Sequence, residues 1–413
     1  SAMSGMYGVV YTDLVQFALA MVGSIGLAII VYIDMSKGAG LHANLESSPA
    51  FRDAVLRFMP DLSTFDSVTF TFLVFIFINW WSACPGSGYA VQRVLATKSE
   101  KDSFFAFLWY TICHYLVRPW PWIIVGVCSL CYFPELADSE ASFPSMIDRF
   151  LPMGFKGIMV ASLLAAFMST LDTHLNWGVS YLINDFYEPY VKPGRAPHHY
   201  VRVSRICMIL LTLVALVATL RLEKILNAYK YLGLFGSGIG TVMIARWYWW
   251  RVNPWSEISA IATSLIVGNT VALLLPDVEA VNGIGGQDFF GLRLVITIAA
   301  SCSVWIPVTL LTSRRPGEQA KAFYNAMRIG GPGWRRVRRE TGVQAAPDHL
   351  GKALGGWVLC SALMLALLVG VGKFLLHEWI AGLVCAEIAC ASAIGLRIVM
   401  KGFSFGYSES PPA

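Results

Sequence analysis

The chain reads as long apolar runs broken by short charged or Pro/Gly-rich connections. A run of about 20 apolar residues is the length at which an α-helix crosses a bilayer. Such runs fall near 11–33, 67–94, 104–133, 155–184, 201–220, 226–250, 255–275, 290–312, 353–375 and 378–399. Ten spans are therefore expected, the last two parted only by His377 and Glu378. The runs at 67–94, 104–133 and 155–184 are longer than the hydrocarbon core needs, so these helices must tilt, kink or project beyond it. The expected fold class is an all-α membrane protein, a multispanning bundle.

One run carries a second pattern. Within GIMVASLLAAFMSTLDTHLNWGVSYLINDFY (157–187), Ser162, Ala166, Ser169, Thr173, Asn176 and Ser180 recur at steps of three and four, with Thr170 beside them. At about 3.6 residues per turn these positions form one stripe. A lipid-crossing helix with a stripe of small and hydroxyl residues turns it toward protein, water or an ion.

Composition sharpens the class. Of the 413 residues 56% are hydrophobic and only 14% charged, against about 25% charged in soluble domains. Nine cysteines lie mostly inside apolar runs and read as small buried hydrophobes, with Cys128 and Cys131 forming a lone CxxC. No signal peptide is visible at the start. The net charge of +5 matters less than its distribution. Basic residues follow the second, fourth, sixth and eighth runs, most densely at 314–350, whereas PELADSEASFPSMID and PDVEAVNGIGGQD are poor in them. The basic loops are thus expected in the cytoplasm, with the first span running outward from Asp13 and the C-terminus inside. Residues 34–66 read as a long outer loop holding a short surface helix, FRDAVLRFM. The basic loop 314–350 either touches anionic lipid or is simply solvated, and the second reading is preferred.

Candidate chemistry sits in three places. In the second run, NWWSACPGSGY puts Pro85, Gly86 and Gly88 in mid-membrane, which predicts a helix broken near Ala83 to Gly88. Broken spans are tolerated where they line a cavity, and they mark binding sites in transporters. Asn79, Trp80, Trp81 and Ser82 beside the break offer ring faces and hydrogen bonds to a small polar solute; a plain proline kink is the competing reading. In the third run, His114 and Arg118 share a helix face next to Trp120 and Trp122. A charge at mid-bilayer costs roughly 2.5–3.5 kcal/mol on insertion scales, so Arg118 needs a partner, a cavity or the interface. Either both residues serve a site, or Arg118 snorkels past a tryptophan belt and His114 is a satisfied core residue. In the fourth run, the Ser169 and Thr170 hydroxyls and the Ala166 carbonyl are neutral oxygens suited to a monovalent cation that must bind and leave. Helix-packing glue is the plainer reading. Asp172 on the same helix and Asp13 at the mouth of the first span each draw cations or pair with a basic neighbour. Lys230 and GLFGSGIG (233–240) suggest close helix packing and an outer gate, with packing preferred. No GxSxG, HExxH or Walker pattern and no metal-ligand spacing stands out.

Taken together, VVYTDLVQFALAMVGS, GYAVQRVLATKSEKDS and LLAAFMSTLDTHLNWGVSYLINDFY resemble the sodium:solute symporter family, which includes sodium/glucose and sodium/proline transporters. HYLVRPWPW and RWYWWRVNPWSE resemble a less characterised bacterial branch of it. The resemblance implies a five-plus-five inverted-repeat transporter fold. Residues 11–33 would be the last helix of the first repeat, 67–250 the second repeat, and 255–399 extra helices, all within one transporter domain spanning 1–413. It implies a sodium ion bound by Ala166, Ser169 and Thr170, with Asp13 near the inward sodium exit. His114 falls where sugar transporters place a substrate-contacting Lys, and Trp80 and Ala83 fall where they carry Asn and Tyr, so the sugar contacts do not transfer. The chain opens without Met, and the resemblance implies about five helices upstream of Ser1. It is therefore expected to be an N-terminally truncated piece that does not transport alone.

The expected function is sodium-coupled symport of a small polar organic solute, such as a sugar or sugar acid, across the plasma (inner) membrane. Its partners are sodium, the solute and the lipid bilayer, with no nucleic acid, and the chain is not expected to be an enzyme. The alternatives are a transporter-like membrane sensor, a non-transporting fragment, or a membrane enzyme built on His114, His174 or Asp172. No output domain favours the sensor, and no nucleophile or metal set favours the enzyme.

Overall fold

A computed structural model describes residues 5–38, 40–51, 53–60, 62–63, 65–78, 94, 97–136, 138–220, 225–277, 288–345 and 350–401. Among them every regular element is helical. Seven helices are long and apolar enough to cross a membrane: Tyr11–Met35, Met153–Val191, Pro197–Thr219, Pro254–Leu274, Phe290–Thr312, Gly351–Leu375 and Trp379–Val399. Of the other expected spans, the third and sixth are also helical, and most of the second lies outside the described residues. The chain forms two compact units, residues 1–58, 92–215 and 355–413 in one and 59–91 with 216–354 in the other.

In the first unit, helix α1 (Gly5–Met35) packs along α7 (Met153–Ser180). Met21, Ser24, Leu27, Val31 and Met35 are buried on α1, a spacing of three and four that marks one face. Gly23 makes the close approach possible, since a Cβ there would lie 2.7 Å from Met159 Sδ. The expected outer loop is partly ordered into α2 (Leu41–Glu46) and a 3-10 turn at Asp53–Leu56, short of the full FRDAVLRFM helix.

The third expected span is a rod with a defect. It comprises α4 (Glu100–Ile112), a π turn (Cys113–Val117) and α5 (Pro119–Tyr132). Pro119 has no N–H to give, and its ring crowds the carbonyl four residues back. The helix widens instead, with the Arg118 N–H reaching the Cys113 carbonyl at 3.0 Å. Beyond α5, α6 (Ser142–Phe150) adds Met146 and Ile147 to a core with Leu27, Val31, Trp120, Ile124 and Met159. A second π stretch, Tyr181–Val191, prolongs α7 around Pro189, and α8 (Pro197–Thr219) follows. The hairpin α14 (Leu350–Leu375) and α15 (Trp379–Met400) belongs mostly to this unit. Trp120 docks it by donating its indole N–H to the Leu368 carbonyl at 2.9 Å.

In the second unit, α3 (Ser67–Phe77) starts at Asp66, whose carboxylate accepts from the Thr69 N–H at 2.8 Å. Helices α9 (Ile225–Tyr248), α10 (Pro254–Leu274) and α11 (Phe290–Thr312) pack side by side. They cross at Gly238, where a Cβ would meet Ser264 Oγ and Ser301 Cβ, the latter at 2.7 Å. Small residues let backbones approach where lipid offers no competing hydrophobic drive. Lys230 is tied at the end of α9 to Asp277 at 3.0 Å and to Asp288 at 3.5 Å, and the same Asp277 also pairs with Arg293.

Over its described residues the 314–350 segment is folded. Helices α12 (Glu318–Met327) and α13 (Arg335–Thr341) fold into a cap whose core is Tyr324, Trp334 and Val337 with Trp250.

Candidate functional site

The stripe on α7 divides once it is folded. Ser162 is buried against α1, and its hydroxyl donates to the Met159 carbonyl at 2.8 Å. Ser169, half-buried, donates its hydroxyl hydrogen to the Asp13 carboxylate on α1. Ala166 and Thr170 lie on an exposed edge, and the Thr170 hydroxyl donates to the Ala166 carbonyl at 3.0 Å. Ser169 and Asp13 thus meet between α1 and α7, while Ala166 and Thr170 lie within a turn of them on an exposed edge of α7. Two of the expected oxygen donors touch each other, and the third touches the acid.

The pairing is antiparallel, because Asp13 meets Ser169 while Gly23 meets Met159, ten positions along each helix. That register puts Gln16 level with Ala166. Among the described residues, the Gln16 side-chain oxygen is buried without a hydrogen-bond partner. The sequence signal for it is a lone amide one turn from Asp13 in a mostly apolar run. Thus a carboxylate, an amide oxygen and the Ser169 hydroxyl lie along one short stretch of the α1–α7 seam, with the Thr170 hydroxyl and the Ala166 carbonyl on the exposed edge beside it. All are hard oxygen donors, the set a hard monovalent cation prefers.

Further along α7, Asp172 accepts from Asn176 Nδ2 at 3.0 Å, and His174 Nδ1 lies 2.9 Å from the Thr170 carbonyl. No group of three or more His, Cys, Asp or Glu side chains among the described residues is arranged to hold a metal ion.

The π turn sets the second cluster. Arg118 Nη1 lies 3.3 Å from His114 Nδ1, so the imidazole nitrogen accepts. Tyr110 stacks on the His114 ring with centroids 5.1 Å apart, and Tyr115 meets it edge-on at 4.7 Å. The Arg118 guanidinium lies over the Trp122 ring at 4.9 Å, and Trp122 in turn donates to Ser24 of α1 at 2.9 Å. Trp120 is 5% exposed and sits in the core, so the two tryptophans form no lipid-facing belt. His114 and Arg118 are thus a paired, aromatic-walled polar group held to α1. Asn79, Trp80, Trp81 and Ser82, with the expected break at Ala83 to Gly88, lie outside the described residues.

Cys128 is buried, and Cys131 points its thiol at the Asn44 carbonyl at 3.5 Å; both are free cysteines.

The fold is matched by a solved structure described as the substrate-bound outward-open state of a Na+-coupled sialic acid symporter. The TM-score is 0.52 at 19% identity, covering 76% of this chain and 64% of that one. In sequence, the chain is 25% identical over 293 residues to a sodium/glucose cotransporter of Vibrio parahaemolyticus, covering 64% of this chain and 53% of the relative. It is 25% identical over 326 residues to a sodium/proline symporter of Haemophilus influenzae, covering 76% and 61%. The chain thus spans between about half and two thirds of these relatives' length. Its apolar helices fit the multipass membrane proteins of this group, whose bacterial members sit in the plasma membrane. The model of the sodium:solute symporter family matches residues 1–266, and the chain belongs to that family.

Proposed function

We propose that this chain forms the sodium-coupling and part of the solute-binding machinery of a symporter that moves a small polar organic solute across the plasma membrane. The observation that carries the reading is the meeting of Asp13 with Ser169, level with Ala166 and Thr170, on two helices that cross the membrane.

The seam's own residues divide the work. Ser169 and Thr170 each hold a hydroxyl whose hydrogen now points at an oxygen. Sodium arriving there turns those hydroxyls outward as acceptors, and the Ala166 carbonyl is released from Thr170 to join them. Asp13 supplies the charge that draws the ion toward the inner end of α1 and receives it on the way out. The remaining oxygens of a full cage come from outside these residues. His114, Arg118 and the aromatic rings around them supply the solute side. An arginine beside a neutral imidazole suits a sugar or, with a carboxylate to pair, a sugar acid. One sodium moving down about 100 mV releases about 2.3 kcal/mol, which supports a solute gradient of roughly fiftyfold.

The test uses the complete transporter that carries this chain. Sodium should stabilise it against heat, and Thr170→Ala should shift that stabilisation and the sodium dependence of uptake to higher concentration together. Unchanged sodium dependence in Thr170→Ala removes this seam from the coupling path.

A further inference from the structure

Residues 313–345 hold eight basic side chains and two acidic ones, Glu318 and Glu340, a net charge of +6. The segment is folded and fastened. Trp334 donates its indole N–H to the Trp247 carbonyl of α9 at 2.8 Å. Gly333 passes so close to α9 that a Cβ there would lie 2.9 Å from the Tyr248 carbonyl carbon. Both acids pair with the cap's own cations. Lys321 reaches Glu318 at 3.1 Å and Glu340 at 4.0 Å, and Arg336 reaches Glu340 at 3.2 Å while lying over Trp250 at 5.7 Å.

Besides Lys321 and Arg336, the segment carries six arginines. Arg314, Arg315, Arg335 and Arg339 are exposed, and no carboxylate among the described residues pairs with them. Arg314 and Arg315 come one residue after Thr312, where the membrane-crossing α11 ends, and the cap rests on the end of α9. These arginines therefore belong to the end of α9 and α11 that meets a membrane surface, where Leu311 and Met327 are also exposed.

We propose that this cap is a docking surface for the anionic headgroups of phospholipids in the leaflet where α9 and α11 end. A solvated basic loop would sample the surface potential only on average. Here the Trp250–Tyr324–Trp334 core fixes the backbone that carries the guanidinium groups, and a guanidinium can grip a phosphate through two parallel hydrogen bonds. This reading does not depend on what the transporter carries.

The complete protein, purified in detergent, is titrated with phosphatidylglycerol or phosphatidylcholine, and bound lipid is counted by native mass spectrometry. Phosphatidylglycerol should be retained at a concentration at least about tenfold lower than phosphatidylcholine, each arginine contributing up to about fivefold at low salt. Arg314→Gln, Arg315→Gln, Arg335→Gln and Arg339→Gln together should abolish the preference, whereas the same four changed to Lys should keep it. Raising choline chloride should weaken it in the native protein, which needs no variant to fold. The proposal is overturned if the glutamine variant, with native tryptophan emission, keeps the preference, if the lysine variant loses it, or if the preference ignores salt. Displacement of the lipid by equal soluble glycerophosphate or polyglutamate also overturns it, in favour of a soluble phosphate or an acidic protein partner.

Discussion

Ser169 and Asp13, 156 positions apart in the chain, share a hydrogen bond in which the serine donates and the carboxylate accepts. The bond joins two helices that both have the length and hydropathy to cross a membrane. A carboxylate at such a place must be compensated, and the Ser169 hydroxyl is one group that does so. Asp13→Asn keeps the size and the bond but removes the charge. Hydrogen bonds to charged groups are worth about 1.5–3 kcal/mol, so the sodium concentration for half-maximal uptake should rise by about tenfold or more. Solute affinity at saturating sodium should change far less. A flux assay across a sodium series decides it, and equal shifts in both would count against a sodium role for Asp13.

Gln16 separates a packing role from a coupling role. Its side-chain oxygen is buried without a partner among the described residues. If the residue served packing alone, Gln16→Met, similar in volume and apolar, would leave stability unchanged or improve it and leave sodium dependence alone. Beside Asp13 and Ala166 we expect the other result, a protein as stable as the native one without sodium but stabilised less by it. Thermal unfolding with and without sodium reads both quantities at once.

His114 is expected to act on the solute. Its ring is stacked by Tyr110 and held at 3.3 Å from Arg118. His114→Ala removes a stack worth about 0.5–1.5 kcal/mol and leaves Arg118 without its neighbour, so KM for the solute should rise about tenfold. The sodium dependence of thermal stabilisation should not move. A change in sodium dependence with an unchanged KM would put His114 on the ion's path instead.

Gly238 tests the packing of the second unit. A methyl there meets Ser264 Oγ and comes within 2.7 Å of Ser301 Cβ. Both serines are buried on neighbouring helices, and neither end is a long flexible chain that swings aside. Gly238→Ala should cost about 1–3 kcal/mol, the usual range for overpacking. Replacing Ser264 with Gly in the same protein should return part of the loss, as measured by the unfolding midpoint.

Asp277 gives a pH dependence with a definite sign. Burial works against its charged form, but hydrogen bonds from Lys230 and Arg293 prevail and hold the carboxyl below its ordinary value of 3.8. A carboxylate depressed in the folded state stabilises above its unfolded pKa, and that contribution is lost as pH falls through the folded value. The Lys230–Asp277–Arg293 tie should thus be intact at neutral pH and fail only below about pH 4. Asp277→Asn should be less stable at pH 7 by about 1–3 kcal/mol, since it leaves the buried Arg293 short of its partner. The variant should also show a shallower loss below pH 4, which melting curves at several pH values will measure.

The membrane-spanning character was legible because it needs only one dimension. An unbroken apolar run has no stable place but lipid or a core, and most of the expected runs recur as helices. The three- and four-residue recurrence from Ser162 to Ser180 likewise fixed which side chains share a face of α7. Periodicity does not say what lies opposite. Ser162 faces buried neighbours while Thr170, two turns on, lies at an exposed edge. Only the antiparallel register of α1 on α7, set by Gly23 against Met159, brings Asp13 to Ser169 and Gln16 level with Ala166.

The basic segment after Thr312 shows the same division from the other side. Its charge was plain in the sequence, but a string of arginines reads as solvated until something holds it. What holds it is Trp250, which lies outside the segment and closes a small core with Tyr324 and Trp334. The composition of a run by itself determined where this chain meets lipid, because burial of apolar surface depends on local content. Which oxygens meet in the seam and which arginines stay exposed were decided only by tertiary contacts, because the partners are far apart in sequence and become neighbours through helix packing alone.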